Sequence, residues 1–248
     1  MLKTNAPVKL SPILKILQTQ GFGTRRDCGM LIGQGKVTWN GVPIEYIDDE
    51  FQTVVGTPYT VDGVAHLYRH FSYLVLHKPA GYECSQKPKE HKSVYSLLPL
   101  YLRQCGQDGN RSGVQCVGRL DQDTTGLLLL SDDGQFIHQY TSPKKQLGKV
   151  YQVTTKHAIN SVMLAALSGG VVLRDAMGDT PEPVAATDVV QLDPYTLNMT
   201  ITEGRYHQVK RMIAAAGNRC EGLKRLSVGA YTLPDDLEPG QWRFVSAQ

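Results

Sequence analysis

Gly118-Arg119-Leu120-Asp121-Gln122-Asp123-Thr124-Thr125-Gly126 runs straight into Leu127-Leu128-Leu129-Leu130-Ser131-Asp132-Asp133-Gly134. The leucine run is short, apolar and closed by a turn signal at Asp133-Gly134, the pattern of a buried strand. The stretch before it is a turn bounded by Gly118 and Gly126, with Arg119 and Asp121 close together inside it. Charged side chains placed where a loop meets a buried strand are held at the edge of a core by a rigid scaffold. Working residues concentrate at such places. An isolated Arg-x-Asp is more often a structural ion pair capping a strand. Its meaning depends on what else lines up with it.

The chain has 248 residues, enough for one large domain or two unequal ones, and 41% of them are hydrophobic, so a sizeable core is expected rather than disorder. The net charge of +3 identifies no partner, but its distribution is informative. Lys3, Lys9, Lys15, Arg25, Arg26 and Lys36 face only Asp27. Lys144, Lys145, Lys149 and Lys156 face no acid, and Arg205, Lys210, Arg211, Arg219, Lys224 and Arg225 face only Glu221. Any one patch could be a solvated helix face. Three basic patches, diluted by acids elsewhere, fit a phosphate-binding surface better. Cys28, Cys84, Cys105, Cys116 and Cys220 are widely spaced, with no Cys-x-x-Cys pair and no histidine at ligand spacing, which argues for a reducing compartment and against a zinc site. No leader or long apolar run appears, so the expectation is a cytoplasmic chain with no membrane contact.

Along the chain, residues 1–9 read as a loose basic terminus. Ser11-Pro12 offers an N-cap and first-turn proline for a helix carrying Ile13, Leu14, Ile16 and Leu17 and ending at Gly21. Thr24-Arg25-Arg26-Asp27 resembles a capping box that opens a second helix to Gly33. Val37-Thr38-Trp39-Asn40-Gly41-Val42-Pro43-Ile44 reads as a hairpin turning at Asn-Gly. These elements form a small module over residues 1–62, with a linker over 63–71 and a second domain over 72–248. That domain opens with a strand, Tyr73-Leu74-Val75-Leu76-His77, and a turn, Lys78-Pro79-Ala80-Gly81-Tyr82. Residues 103–113 are polar and read as a surface loop.

Beyond the leucine strand, Asp133 can cap a helix carrying Phe136, Ile137 and Tyr140. Lys149-Val150-Tyr151-Gln152-Val153 alternates as a strand, and Asn160 caps a helix that stops at Gly169-Gly170. Val184 to Leu192 is strand-like. Leu197, Met199 and Ile201 alternate with polar neighbours as a half-buried strand. Glu203-Gly204-Arg205-Tyr206-His207-Gln208-Val209-Lys210-Arg211-Met212 then reads as a helix closed by Gly217, with His207, Lys210 and Arg211 on one face.

Gly-Arg-Leu-Asp with Thr-Thr-Gly, Lys-Val-Tyr-Gln-Val and Glu-Gly-Arg-Tyr-His-Gln-Val-Lys-Arg-Met together resemble the pseudouridine synthases of the RsuA type. Tyr73 to Ser85 is most similar to the members acting on small-subunit ribosomal RNA. The front module resembles the small RNA-binding module of the same enzymes, although Leu10-Ser11-Pro12 stands where that module usually has Arg-Leu-Asp. The resemblance implies an α+β fold: a mixed, mostly antiparallel sheet split by a cleft, with helices on its outer faces. It also implies a monomeric isomerase of ribosomal RNA, free or in an assembly intermediate, that needs no cofactor and no metal. Asp121 matches the family's catalytic aspartate, Lys210 its cationic partner and Tyr151 its active-site tyrosine. Asp123 competes with Asp121 and is expected to be structural, tied to Thr124 or Thr125. Arg119 is expected to fill the space left by an extruded uridine, and Leu226 to form the apolar wall below the base. Arg25, Arg26, Lys36, Lys144, Lys145, Lys149, Arg205, Arg211, Lys224 and Arg225 are assigned to RNA phosphates. Three other readings remain open here: a large-subunit RNA synthase, a non-catalytic assembly factor, and a glycosidase using Asp121 and Asp123 as its carboxylate pair.

Overall fold

The computed structural model describes residues 10–106, 112–173 and 182–248, and these divide into two compact units. Lys3, Lys9 and part of the expected 103–113 loop lie outside the described residues.

One unit comprises residues 1–73 with 98–115 and 131–133. Helix α1 (Ile13–Thr19) and helix α2 (Arg25–Gly33) pack beside a four-stranded antiparallel sheet. Ile13, Ile16 and Leu17 on α1 are at most 2% exposed, and they meet Cys28, Ile32, Val37, Trp39 and Tyr59 in one cluster. Burying each such aliphatic side chain contributes about 1.5–3 kcal/mol. Helix α2 begins as expected: Thr24 accepts from the Asp27 amide while the Asp27 carboxylate accepts from the Thr24 amide. Helix α1 does not begin as expected. Leu10–Pro12 is a short strand paired with Glu50–Gln52, and Pro12 is the cap, with no side-chain hydrogen bond to it. The Asn40-Gly41 hairpin forms, both residues at positive φ (50° and 81°). Within the stretch expected as linker, Val64–Leu67 is a strand paired with Pro58–Val61 across a turn at Asp62-Gly63. Its side chains are mostly exposed, so no apolar alternation marks it in the sequence.

The other unit, residues 74–97, 116–130 and 134–248, holds most of a nine-stranded mixed sheet. Its main path runs Asp188–Gln191, Thr196–Ile201, Lys149–Thr155, Cys220–Val228, Thr125–Ser131, Tyr73–Lys78, Trp242–Phe244, with Gln115–Val117 paired to Thr125–Ser131 and Tyr231–Thr232 paired to Cys220–Val228 off that path. The fold is α+β. Leu127 to Leu130 lie in the middle of this sheet, each at most 1% exposed. Thr125–Ser131 runs parallel to Cys220–Val228, while Lys149–Thr155 pairs antiparallel with both its neighbours. The approach of the two parallel strands requires Gly126: it sits at φ 100°, and a Cβ there would run into the Arg225 backbone. Helices α3 (Gly134–Thr141), α4 (Ser161–Gly169) and α5 (Gln208–Ala215) complete the unit. The Asn160 cap of α4 is present, its side chain accepting from the Met163 amide at 2.9 Å.

Candidate active site

The Gly118–Thr124 turn is fixed from its own backbone outward. Gly118 has φ 75°, and the Thr124 amide donates to the Asp121 carbonyl at 3.2 Å. Leu120, 7% exposed, anchors the turn in the core and leaves its neighbours Arg119 and Asp121 more accessible. The strongest brace is Lys78, fully buried at the end of its strand, whose ammonium donates to the carbonyls of Pro79 (3.1 Å), Gln122 (3.0 Å) and Thr124 (2.8 Å). The Gly81 amide adds a bond to the Gln122 carbonyl at 2.8 Å. Burial lowers the Lys78 pKa, opposed by nearby Cys84, Asp123 and Asp121. A buried ammonium is tolerable when its protons are matched to acceptors, as they are here.

Lys210 reaches this turn from α5. Its Nζ lies 2.6 Å from Asp123 Oδ1 and 3.2 Å from Asp121 Oδ2. Burial pulls the Lys210 pKa down, but the hydrogen bond to Asp123 and the charge of Asp121 outweigh it, and the net direction is up. For Asp123, burial raises the carboxyl, the Lys210 ammonium overrides it, and the net direction is down. Asp123 is therefore not tied to the turn threonines: Thr125 Oγ1 donates to Leu223 O, and Thr124 Oγ1 is buried without a hydrogen-bond partner among the described residues. One ammonium serves two carboxylates.

The stretch before α5 is also not helical. The helix starts at Gln208, and His207 sits just before it in the left-handed region (φ 48°). Gln208 is 4% exposed, and its side-chain oxygen accepts from the Arg205 amide at 2.9 Å, closing the loop back on the helix. This conformation brings His207 Nε2 to 3.4 Å from Asp121 Oδ1 and stacks the imidazole on Tyr206. Such non-glycine backbone geometry is uncommon and clusters at functional sites.

A recess opens above this cluster, lined in part by Arg119, Asp121, Tyr151, Arg205 and His207, with Ile201 and Leu223 as apolar walls. Tyr151 is aimed by its strand, where the register against Cys220–Val228 shifts between Val150 and Tyr151; a bulge of this kind redirects a side chain. Arg119 is exposed and forms no ion pair among the described residues, so the alternative of a salt bridge to Asp121 or Asp123 does not arise.

The structure brings Asp121, Tyr151, Lys210, Arg119 and Arg205 together and separates out others. Leu226 does not line the recess. Arg225 is 3% exposed and donates from Nε to the Leu127 carbonyl at 2.8 Å, so it is unavailable to a phosphate. Lys149 is half-buried, its ammonium turned to the carbonyls of Leu147 (3.3 Å), Thr202 and Glu203 (3.4 Å each), and burial lowers its pKa. Arg205 pairs with Glu203 at 2.7 Å, and Arg211 donates to the Tyr206 carbonyl at 3.2 Å. Lys224 is half-buried, whereas Lys144 and Lys145 are exposed in a short 3₁₀ turn. In the N-terminal unit Arg25 and Arg26 are exposed at the start of α2, and Lys36 is paired with Asp62 at 3.1 Å. Lys78, His207, Ile201 and Leu223 were not anticipated as site residues. For Lys78 the available signal was a lysine continuing an apolar strand directly into proline. Among the described residues no group of His, Cys, Asp and Glu could hold a metal ion, and no helix is long and apolar enough to cross a membrane.

Residues 72–215 match the family model for RNA pseudouridylate synthase, and the chain belongs to that family. It is 42% identical over 176 residues, 71% of either chain, to ribosomal small subunit pseudouridine synthase A of Pasteurella multocida. It is also 35% identical over 240 residues, 94% of either chain, to the uncharacterized RNA pseudouridine synthase YtzG of Bacillus subtilis. A crystal structure of a pseudouridylate synthase superposes with a TM-score of 0.62 at 33% identity, covering 95% of this chain and 96% of the other.

Proposed function

We propose that this chain converts one uridine of small-subunit ribosomal RNA to pseudouridine, in the cytoplasm and as a monomer. The substrate follows the relatives named small subunit pseudouridine synthase, including those of Pasteurella multocida and Haemophilus influenzae. The observation that carries the chemistry is the Asp121–Lys210 pair at 3.2 Å on the floor of a recess walled by Tyr151.

The reaction breaks the N1–C1′ bond of uridine, turns the uracil and rejoins it through C5. It is an isomerisation, with no net transfer of electrons and no group lost, so it calls for positioned charge rather than a redox centre. Asp121 is the carboxylate that acts on the ribose, whether by bonding to C1′ or by taking a sugar proton. Lys210 neutralises it as water is displaced, and the basic charge at its other side is supplied by His207 when the ring is protonated. Tyr151 offers a ring face to the uracil. A uridine in structured RNA must first leave its stack. Arg119, free at the mouth, is suited to fill the gap or hold the everted phosphate. Lys144, Lys145, Arg25 and Arg26 remain the exposed cations for backbone phosphates.

Pseudouridine mapping of ribosomal RNA from cells lacking the chain tests this reading. One site in the small-subunit RNA is expected to revert to uridine. Loss at a large-subunit site, or no loss at all, overturns the substrate assignment.

A further inference from the structure

A fourth basic patch lies between Cys84 and Ser93, where Lys87, Lys89, His91 and Lys92 face Glu90 and, at the start of the loop, Glu83. Gln86 to Lys92 are exposed, and the stretch has no regular structure before Lys92. A polar segment of this kind is ordinarily held loosely. Here it is closed by its own hydrogen bonds. Glu83 Oε1 accepts the amides of Glu90 and His91 at 2.9 Å each, and Oε2 accepts that of Lys89 at 3.1 Å. The Glu90, His91 and Lys89 amides hold the Glu83 carboxyl below the usual carboxylate range. The Ser85 hydroxyl accepts the Lys87 amide at 3.1 Å, and the Ser93 hydroxyl donates to the Ser85 carbonyl at 2.5 Å. At the base, Tyr82–Glu83 pairs parallel with Lys92–Ser93.

A carboxylate given to three backbone amides fixes a loop through charge-assisted bonds. Its negative charge is thereby committed to the backbone. Lys87, Lys89 and Lys92 form no ion pair among the described residues, so the loop presents three ammonium groups against the carboxylate of Glu90. The base of the loop is also joined to the Asp121 turn. The Gly81 amide donates to the Gln122 carbonyl at 2.8 Å, and the amide of Leu120, the residue before Asp121, donates to Cys84 Sγ at 3.4 Å. Consecutive Cα atoms are about 3.8 Å apart, so the Cα of Lys87 lies within about 11 Å of that of Cys84. A lysine side chain extends this reach to the nucleotides flanking one bound at Asp121.

We propose that the loop of residues 84–93 clamps the RNA backbone beside the reacting uridine, with Lys87, Lys89 and Lys92 on phosphates and Glu83 as the positioning residue. The role rests on reading the Asp121 turn as the uridine-isomerising site. Phosphate contacts of this kind fix where a strand lies without reading its bases. The brace strengthens them because cations already held in place lose less freedom when RNA binds. A loop with the same charges and no brace must be ordered at the moment of binding, and it binds more weakly.

The test compares the full chain with Lys87→Gln/Lys89→Gln/Lys92→Gln, Glu83→Ala and Glu90→Ala, by filter binding to one small-subunit ribosomal RNA transcript at graded salt. Each phosphate contact contributes about 0.7–0.9 to the slope of log affinity against log salt, so the triple variant should be shallower than wild type by about 2–3. Glu83→Ala and Glu90→Ala each remove one negative charge from the same loop. Charge alone predicts tighter binding from both. The brace predicts it from Glu90→Ala only, with Glu83→Ala binding about threefold more weakly than wild type or worse. Hydrogen exchange at the Lys89, Glu90 and His91 amides should be slow in wild type and fast in Glu83→Ala. An unchanged salt slope in the triple variant, or tighter binding by Glu83→Ala, overturns the proposal. Pseudouridine formation by the wild-type chain on the same transcript is measured in parallel. If product forms while the slope is unchanged, the clamp fails and the functional reading stands. If the slope falls as expected and no product forms, the functional reading fails and the loop stands as an RNA contact.

Discussion

Lys210→Met removes the ammonium that lies against both Asp121 and Asp123. At the 3.2 Å separation from Asp121, two unit charges attract by about 5 kcal/mol at an effective dielectric near 20 and by about 1 kcal/mol in bulk water. The Lys210 side chain is 24% exposed and that of Asp121 30%, so solvent screens a substantial part. An effect of about 2–3 kcal/mol on the step in which Asp121 acts is the reasonable middle. At about 1.4 kcal/mol per decade this is a loss of roughly thirty- to one-hundred-and-fifty-fold in rate. With the lysine gone, the two carboxylates keep the buried Lys78 ammonium nearby, and His207 at 3.4 Å from Asp121, to offset them. The assay is single-turnover conversion of a saturating small-subunit transcript, read by carbodiimide mapping, with RNA affinity measured separately by filter binding. Lys210→Arg keeps the charge and should recover most of the rate, although its fork is shaped differently. A Lys210→Met chain within threefold of wild type would refute the reasoning. So would a deficit that vanishes at saturating RNA, since the ammonium would then serve binding alone.

Three further outcomes follow from the same geometry. Gly126→Ala forces a Cβ into the Arg225 backbone at φ 100° and should cost about 3 kcal/mol or more, read as a lower urea midpoint; an unchanged midpoint contradicts the close approach of the two parallel strands. Lys78→Met takes the ammonium donor from the carbonyls of Pro79 and Thr124 and leaves that of Gln122 with the Gly81 amide alone, at about 1–3 kcal/mol for each buried acceptor left unmet, partly offset by removal of a buried charge. The expected net loss is about 2–4 kcal/mol together with lower turnover, and a fully stable, fully active variant would show that the brace is dispensable. Because Asp123 is lowered on folding, its stabilisation is complete above the unfolded value near 3.9 and is lost as pH falls through the folded value. Lys210, being raised, contributes below its unfolded value near 10.4 and loses that contribution as pH rises through the folded one. Thermal melts of wild type and Asp123→Asn should thus differ at neutral pH and converge in acid; a constant gap down to about pH 3 would exclude the pairing as its source.

Elements whose register is local were legible in the sequence. The leucine run of 127–130 carries its burial in its composition, and Leu197, Met199 and Ile201 alternate and are each at most 2% exposed. Asn40-Gly41 specified its hairpin because few other dipeptides accept two successive positive φ values. The Val64–Leu67 strand was hidden because its side chains face mostly solvent and leave only the Asp62-Gly63 turn as a signal. Charged residues misled in the other direction. Arg225 and Lys149 belong by type to the surface, yet strand pairing carries them inward and backbone carbonyls receive their protons. The helical period placed Lys210 and His207 on one face, but it could not show that His207 precedes the helix in a left-handed turn, nor that Lys210 reaches Asp123 as well as Asp121. Those contacts join residues more than eighty positions apart, and the strand order that closes the distance is a property of the whole sheet.

The account turns on which carboxylate beside Lys210 acts on the sugar. Asp121→Asn and Asp123→Asn should be compared on one transcript, with RNA binding confirmed for both. The account predicts no detectable pseudouridine from Asp121→Asn and measurable, reduced product from Asp123→Asn. Undiminished product from Asp121→Asn would contradict it.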